Sequence, residues 1–467
     1  MRFGSKFFGD RFYRIFEVVP KYLKMPSFLA SDYIYLFFLV IMSGIILLVS
    51  DEMEILAHVL AIALLSLGAI AIVKFDLTHP YFWYSAFFFL YSTSYAILYS
   101  RGHYYSYRIV EFRHLGYNKE ALVYCWIALV VFLLIVSPHR HAKLSGADAL
   151  SVFRYKSLRA IKTSIAFVNI VVVYATLVVY SSQITKRVFN TTLVGTLIVN
   201  FGECVPILYV LLFYCMSQKK GKPAYFALLI SCLPLCVLGF AIGERDLYLR
   251  VILMFVITAF SLDIIKRKHF IIIFPFGILL MALSVVFKYF FISRTTTIRL
   301  SSVQDIVYWF LDSDFTSAGV NMQILTSHPE YRAAFQGRGF VHVFTRLFFI
   351  PENYVNHGTW FTETFAPGSA FGYGFTIVGF GYVELGVFGV ILIMAILALI
   401  IRFLYRKMWS NIYMYLLYIF SIPLYIYVIR SSLKVLLISL IVHAIPIVII
   451  SFLFNRLAAL KMFESED

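Results

Sequence analysis

Charge is what this sequence has least of. Asp, Glu, Lys and Arg make up 14% of its 467 residues, against 61% hydrophobic and 18% aromatic. A soluble domain carries roughly 25% charged residues, so this composition excludes an ordinary water-soluble enzyme. Cysteine is sparse as well. The five cysteines (Cys125, Cys204, Cys215, Cys232 and Cys236) fall inside apolar runs with no paired CxxC spacing, which points to small buried fillers rather than metal ligands. There is no Walker loop, G-x-S-x-G elbow, HExxH or DxD-type sugar-nucleotide signal where it would work, so nucleotide-driven transport is not expected. An internal repeat of the kind many secondary transporters carry is missing, as are low-complexity tracts. The basic, aromatic N-terminus has no apolar core with a small-residue cleavage site, so no cleavable signal is expected.

What the sequence does have is a series of apolar runs of roughly 17 to 25 residues, the length that crosses the hydrocarbon of a bilayer as a helix. Spans are expected near Tyr33–Val49, Ile55–Val73, Tyr81–Tyr99, Ala121–Ser137, Thr163–Ser181, Leu193–Met216, Ala224–Ala241, Leu247–Ile265, Phe270–Phe290, Phe371–Ile401, Ile412–Ile429 and Val435–Phe454. The fold class read from this is an all-α polytopic membrane protein of about twelve transmembrane helices. The formal charge of +16 is spread over short connections rather than gathered on one face, which fits membrane topology and not nucleic-acid binding.

Basic clusters lie in the N-terminal segment and at Arg140–Lys162, Lys219–Lys222, Lys266–Lys268, Arg402–Lys407 and Arg456–Lys461. All fall on one side if twelve helices alternate, so both termini are expected in the cytoplasm. Residues 1–32 read as a basic amphipathic segment on the membrane surface, 33–290 as the first nine spans and 291–370 as one large periplasmic loop with short helices. Residues 371–455 read as the last three spans and 456–467 as a cytoplasmic tail. Within the loop, Val303–Leu311 and Ser317–Leu325 are expected to be helical, and Gly339–Ile350 to dip toward the membrane before Pro351.

The residues that can carry chemistry gather near that loop. A carboxylate inside an apolar span needs a positive partner or water, which singles out Glu203 and Glu384. Arginines recur at the expected outer ends of spans: Arg245 and Arg250, Arg294 and Arg299, Arg332, Arg338 and Arg346, then Arg430 with Lys434 close by. Their guanidinium forks match phosphate or diphosphate oxygens, while headgroup snorkelling or pairing with Glu244, Asp246 or Glu384 is the alternative. His328, His342 and His357 are loop histidines able to exchange protons near neutral pH, with His342 favoured because it lies between Arg338 and Arg346. Gly372, Gly374, Gly379, Gly381, Gly386 and Gly389 form a small-residue stripe suited to close helix packing, or to making room for a lipid or sugar beside Glu384.

Several of these features together resemble the bacterial O-antigen polymerase family, the oligosaccharide repeat-unit polymerases. They are Gly243-Glu244-Arg245 between two spans, Ser293-Arg294-Thr295 opening the loop, Gly337-Arg338-Gly339 with the run to Pro351, the Gly379–Gly389 helix, and Arg430-Ser431. The likeness covers about Gly243 to Ser432. Where the family helix has Glu after its first Gly this chain has Phe380, and where it has Asn this chain has Glu384.

The resemblance implies a polymerase in the bacterial inner membrane, with its site facing the periplasm. It would join undecaprenyl-diphosphate-linked oligosaccharide repeat units without nucleotide sugar, cofactor or metal, alongside a chain-length regulator of the kind the family usually works with. Arg245, Arg250, Arg294 and Arg430 are then expected to bind diphosphate, with Arg299 and Arg338 behind them. Glu384 or His342 would be the base, and Tyr308, Trp309, Tyr354 and Trp360 would stack on sugar rings or pack the loop. A flippase for the same lipid-linked glycan and an O-antigen ligase are the competing readings.

Overall fold

The computed structural model describes residues 31–51, 54–102, 116–139, 206–211, 245–265, 314–347, 356–367 and 375–463, with scattered positions in 162–174 and 307–311. All regular structure among the described residues is helical. The elements are α1 (Ser31–Val49), α2 (Ile55–Ile72), α3 (Pro80–Ser100), α4 (Lys119–Val136), α5 (Arg245–Ser261) and α6 (Asp314–Ser327). They continue with α7 (Arg338–Leu347), α8 (His357–Phe365), α9 (Ile377–Lys407), α10 (Ile412–Val428), α11 (Leu433–Ile438) and α12 (Ile445–Phe463), the last two joined by a π turn at Ser439–Ala444. Among the described residues, five stretches are long and apolar enough to cross a membrane: α1, α2, α4, α9, and the run Leu433–Leu457 through α11 and α12. The chain is an all-α membrane protein.

Local chemistry sets the helix starts. Asn118, Asn356 and Asn411 each accept a hydrogen bond from a first-turn amide of α4, α8 and α10, at 2.8, 3.0 and 2.9 Å. At α3 the His79 Nδ1 accepts from Tyr81 N at 3.1 Å, and Pro80 takes a first-turn place where no N–H is needed. Helices α1 to α5, and α10, agree with the expected spans to within about one turn, while α12 runs past Phe454 to Phe463. The expected spans at Thr163–Ser181, Leu193–Met216, Ala224–Ala241 and Phe270–Phe290, like the N-terminal amphipathic segment, lie wholly or mostly outside the described residues.

Helix α3 is the hub, in contact with α2, α4, α6 and α10, and it buries Tyr81, Tyr84, Phe88 and Ser85. Tyr84 stacks on Phe132 of α4 at 3.7 Å, and its hydroxyl meets Met394 Sδ of α9. Helix α6 belongs to this bundle although it comes from the stretch expected as a loop. Gly319 presses on the carbonyls of Tyr91 and Ser92, Phe315 packs on Tyr91 at 4.9 Å, and Gln323 Oε1 accepts the Asn118 amide at 2.6 Å. It contains the expected helical piece Ser317–Leu325; of the other piece, Val303–Leu311, only scattered positions are described.

The larger departure is in α9, expected as one straight span from Phe371 to Ile401. Its helix is broken at Leu385 (φ −141°, ψ 20°) and Gly386 (φ 63°, ψ −139°). In a straight helix residues nine apart are separated by about 13 Å. Here a Cβ on Gly381 would lie 2.6 Å from Val390 Cα, so the chain doubles back on itself. Residues 387–407 then form the part able to span, rising about 31 Å to end at Arg406 and Lys407. The glycines serve this turn within one element: Gly381 and Gly389 meet backbone to backbone, and Gly386 supplies the left-handed φ.

Gly389→Ala should therefore destabilise the chain by about 1–3 kcal/mol, because its methyl would land on the Gly381 carbonyl. Gly116→Ala, which meets open space, is the control. Thermal unfolding in detergent measures both, and equal melting temperatures would contradict the folded-back geometry.

Candidate functional site

A broken helix frees the carbonyls that its next turn would have used. In α9 these belong to Tyr382, Val383 and Glu384, and the turn at 332–337 takes all three. Ala333 N, Phe335 N and Gly337 N donate to them at 3.0, 3.0 and 3.1 Å, every second amide meeting the next carbonyl. Positive φ at Ala333, Gln336 and Gly337 curls the turn so that its amides face the break. The exposed Arg332 lies along the break, with its Nε 3.3 Å from where a Gly386 Cβ would sit.

The Glu384 side chain continues the same junction. Oε2 accepts the Gly339 amide at 2.9 Å, at the start of α7, and Oε1 meets His357 Nε2 at 2.6 Å, at the start of α8. A carboxylate only accepts, so this arrangement fits His357 with its proton on Nε2. Relative exposure is 0% for Glu384 and 5% for His357. The rings of Phe380, Phe335 and Phe375 lie 4.6, 4.9 and 5.7 Å from the imidazole. Low polarity around the pair strengthens its hydrogen bonds and raises the cost of breaking them. Both helix starts also present amide dipoles that favour a negative group.

A second cluster lies at the start of α9. Arg250, buried on α5, and Arg430, just past α10, share the Tyr427 ring at 5.6 and 4.7 Å. The same end of α10 anchors the start of α9. Phe375 N donates to Arg430 O at 3.2 Å and Ile377 N to Ile429 O at 3.4 Å. The first limb of α9 thus begins at the arginines and ends at Glu384, about 12 Å further on. Helix α7 touches both α9 and α11, which brings it to the same place.

Of the expected residues, the structure therefore brings Arg250 and Arg430 together and places Glu384 at the other end of the first α9 limb. Arg338 is exposed at the first position of α7, and His342 is buried one turn further on. Trp360 packs edge-on against Tyr331 and Phe335, so that ring supports α8. Arg245 opens α5, but its side chain lies outside the described residues, as do Arg294, Arg299, Tyr308, Trp309, Tyr354 and Glu203. Tyr427 escaped the sequence reading, and His357, one of three loop histidines it named, ranked behind His342. The demand of Glu384 for a partner was the available signal, but three loop histidines met it equally well.

No family model matches this chain, nor does any curated protein or solved structure. Fold and site together define a helical membrane protein with a buried Glu–His pair at the break of one helix and two arginines at the other end of that helix's short limb.

Glu384→Ala should lower stability by about 3–5 kcal/mol, since it leaves His357 and the Gly339 amide without their acceptor in an apolar enclosure. Glu363→Ala, on the exposed side of α8, should stay within about 0.5 kcal/mol. Denaturant unfolding compares the two, and equal effects would mean that the buried pair carries no stability.

Proposed function

We propose that this chain is a glycosyltransferase that joins undecaprenyl-diphosphate-linked oligosaccharide repeat units at the periplasmic face of the bacterial inner membrane. The observation that carries this reading is the convergence of Arg250 and Arg430 on Tyr427, beside the limb of α9 that ends at Glu384. Two guanidinium groups held on one ring suit a diphosphate, whose oxygens accept paired N–H bonds. The long limb of α9 supports the orientation: its far end is basic (Arg406, Lys407), as a cytoplasmic end should be, which leaves the break at the opposite surface. About twelve spans with both termini inside complete this topology.

In the reaction the bond between the sugar C1 and the phosphate oxygen of the growing glycan breaks, and the diphosphate leaves with the electron pair. The arginines offset the charge that builds on it. C1 bonds to a hydroxyl oxygen of the incoming repeat unit, which gives up its proton to a base. Both oxygens of Glu384 are already engaged by Gly339 and His357, which favours His342, one turn along α7, as that base. Binding and alignment of two lipid-linked substrates supply the rest.

Arg250→Ala and Arg430→Ala should each lower polymer formation by about 10- to 100-fold on lipid-linked repeat units in liposomes, with the protein still inserted. Unchanged polymer in both variants would remove the diphosphate reading. In a cell lacking the chain, lipid A core capped with a single repeat unit supports the polymerase, whereas uncapped core supports a ligase or flippase.

A further inference from the structure

The buried pair joins three pieces of chain that lie far apart in sequence. Glu384 sits at the break of α9, Gly339 at the start of α7 and His357 at the start of α8. The turn at 332–337 is bonded to the carbonyls just before the break, and α7 rests on α9 and α11. Helices α7 and α8 therefore form a cover on the break of α9, and α7 also reaches α11, which begins three residues past Arg430. One carboxylate fastens the starts of both helices, through a different oxygen for each.

We propose that His357 and Glu384 are positioning residues: their pairing holds this cover closed, and the transfer site is assembled only while it is closed. The inference rests on the glycosyl-transfer reading above and adds to it a role for residues that need not touch the reacting atoms. The diphosphate would still bind the arginines with the cover loosened, so loosening should lower kcat and leave the KM for the lipid donor little changed.

His357→Phe keeps a ring among Phe335, Phe375 and Phe380 but removes the donor to Glu384. His357→Gln loses the ring and keeps a donor. The two variants therefore separate hydrogen bonding from packing. In the full chain in lipid nanodiscs, His357→Phe should speed amide exchange over 333–340 and 357–366 by about tenfold or more, while His357→Gln should stay within about threefold of wild type. Polymer formation should fall in the same order, through kcat.

If His357→Phe fails to accumulate, Glu384→Asp replaces it, because a carboxylate one methylene shorter cannot reach both helix starts; it too should speed exchange. Protection in His357→Phe equal to wild type, or opening in His357→Gln as large as in His357→Phe, would overturn the clamp. Exchange in the expected order with polymer formation unchanged would overturn the positioning role, leaving the arginine reading to its own variants. A wild-type chain that makes no polymer would overturn the transfer reading and this role with it, and the exchange order would still decide whether the clamp exists.

Discussion

A helix interrupted next to an apolar phase must find donors for the carbonyls it frees, because each unpaired backbone group there costs several kcal/mol. The break at Leu385 and Gly386 in α9 creates that demand, and the surrounding chain is arranged to meet it. Amides of the 332–337 turn take the three carbonyls before the break, and Glu384 extends the junction to Gly339 and His357. The close approach of Gly381 to Gly389, the aromatic rings around His357 and the seating of α7 and α8 all follow from the reversal. Non-helical backbone of this kind is tolerated at membrane depth where protein covers it or a cavity needs it.

Function enters through what the reversal places together. The short limb of α9 is pinned at one end to the carbonyls of Ile429 and Arg430, and at the other to the cover helices. A cationic pair on one aromatic ring and a buried carboxylate thus lie at opposite ends of an eight-residue limb, Ile377 to Glu384. In the proposed reaction the first holds the leaving group and the second holds the cover in place. A carboxylate used in this way serves by holding two acceptor oxygens at fixed positions.

Much of the scaffold was legible in the sequence, since hydrophobic length alone fixes helices such as α1, α2, α4 and α10. The bundle position of α6 was not, because Thr316, Asn321, Gln323 and Thr326 look like a solvated face and are in fact buried. The break in α9 was hidden for a different reason. Its glycines suit packing between two helices as well as packing of one helix on itself, and hydropathy is blind to that difference. Arg250, Arg430 and Glu384 could be singled out because a charge at a span needs compensation. Their partners could not, since Tyr427 and His357 meet them only through the tertiary fold.

The most direct test is a density map of the full chain in a lipid nanodisc, detailed enough to show side chains around residue 384. The account predicts that α9 turns back at Leu385 and Gly386, with the Glu384 carboxylate between the Gly339 amide and the His357 ring. A straight helix through Ile377–Lys407, with Glu384 facing lipid or solvent, would contradict it.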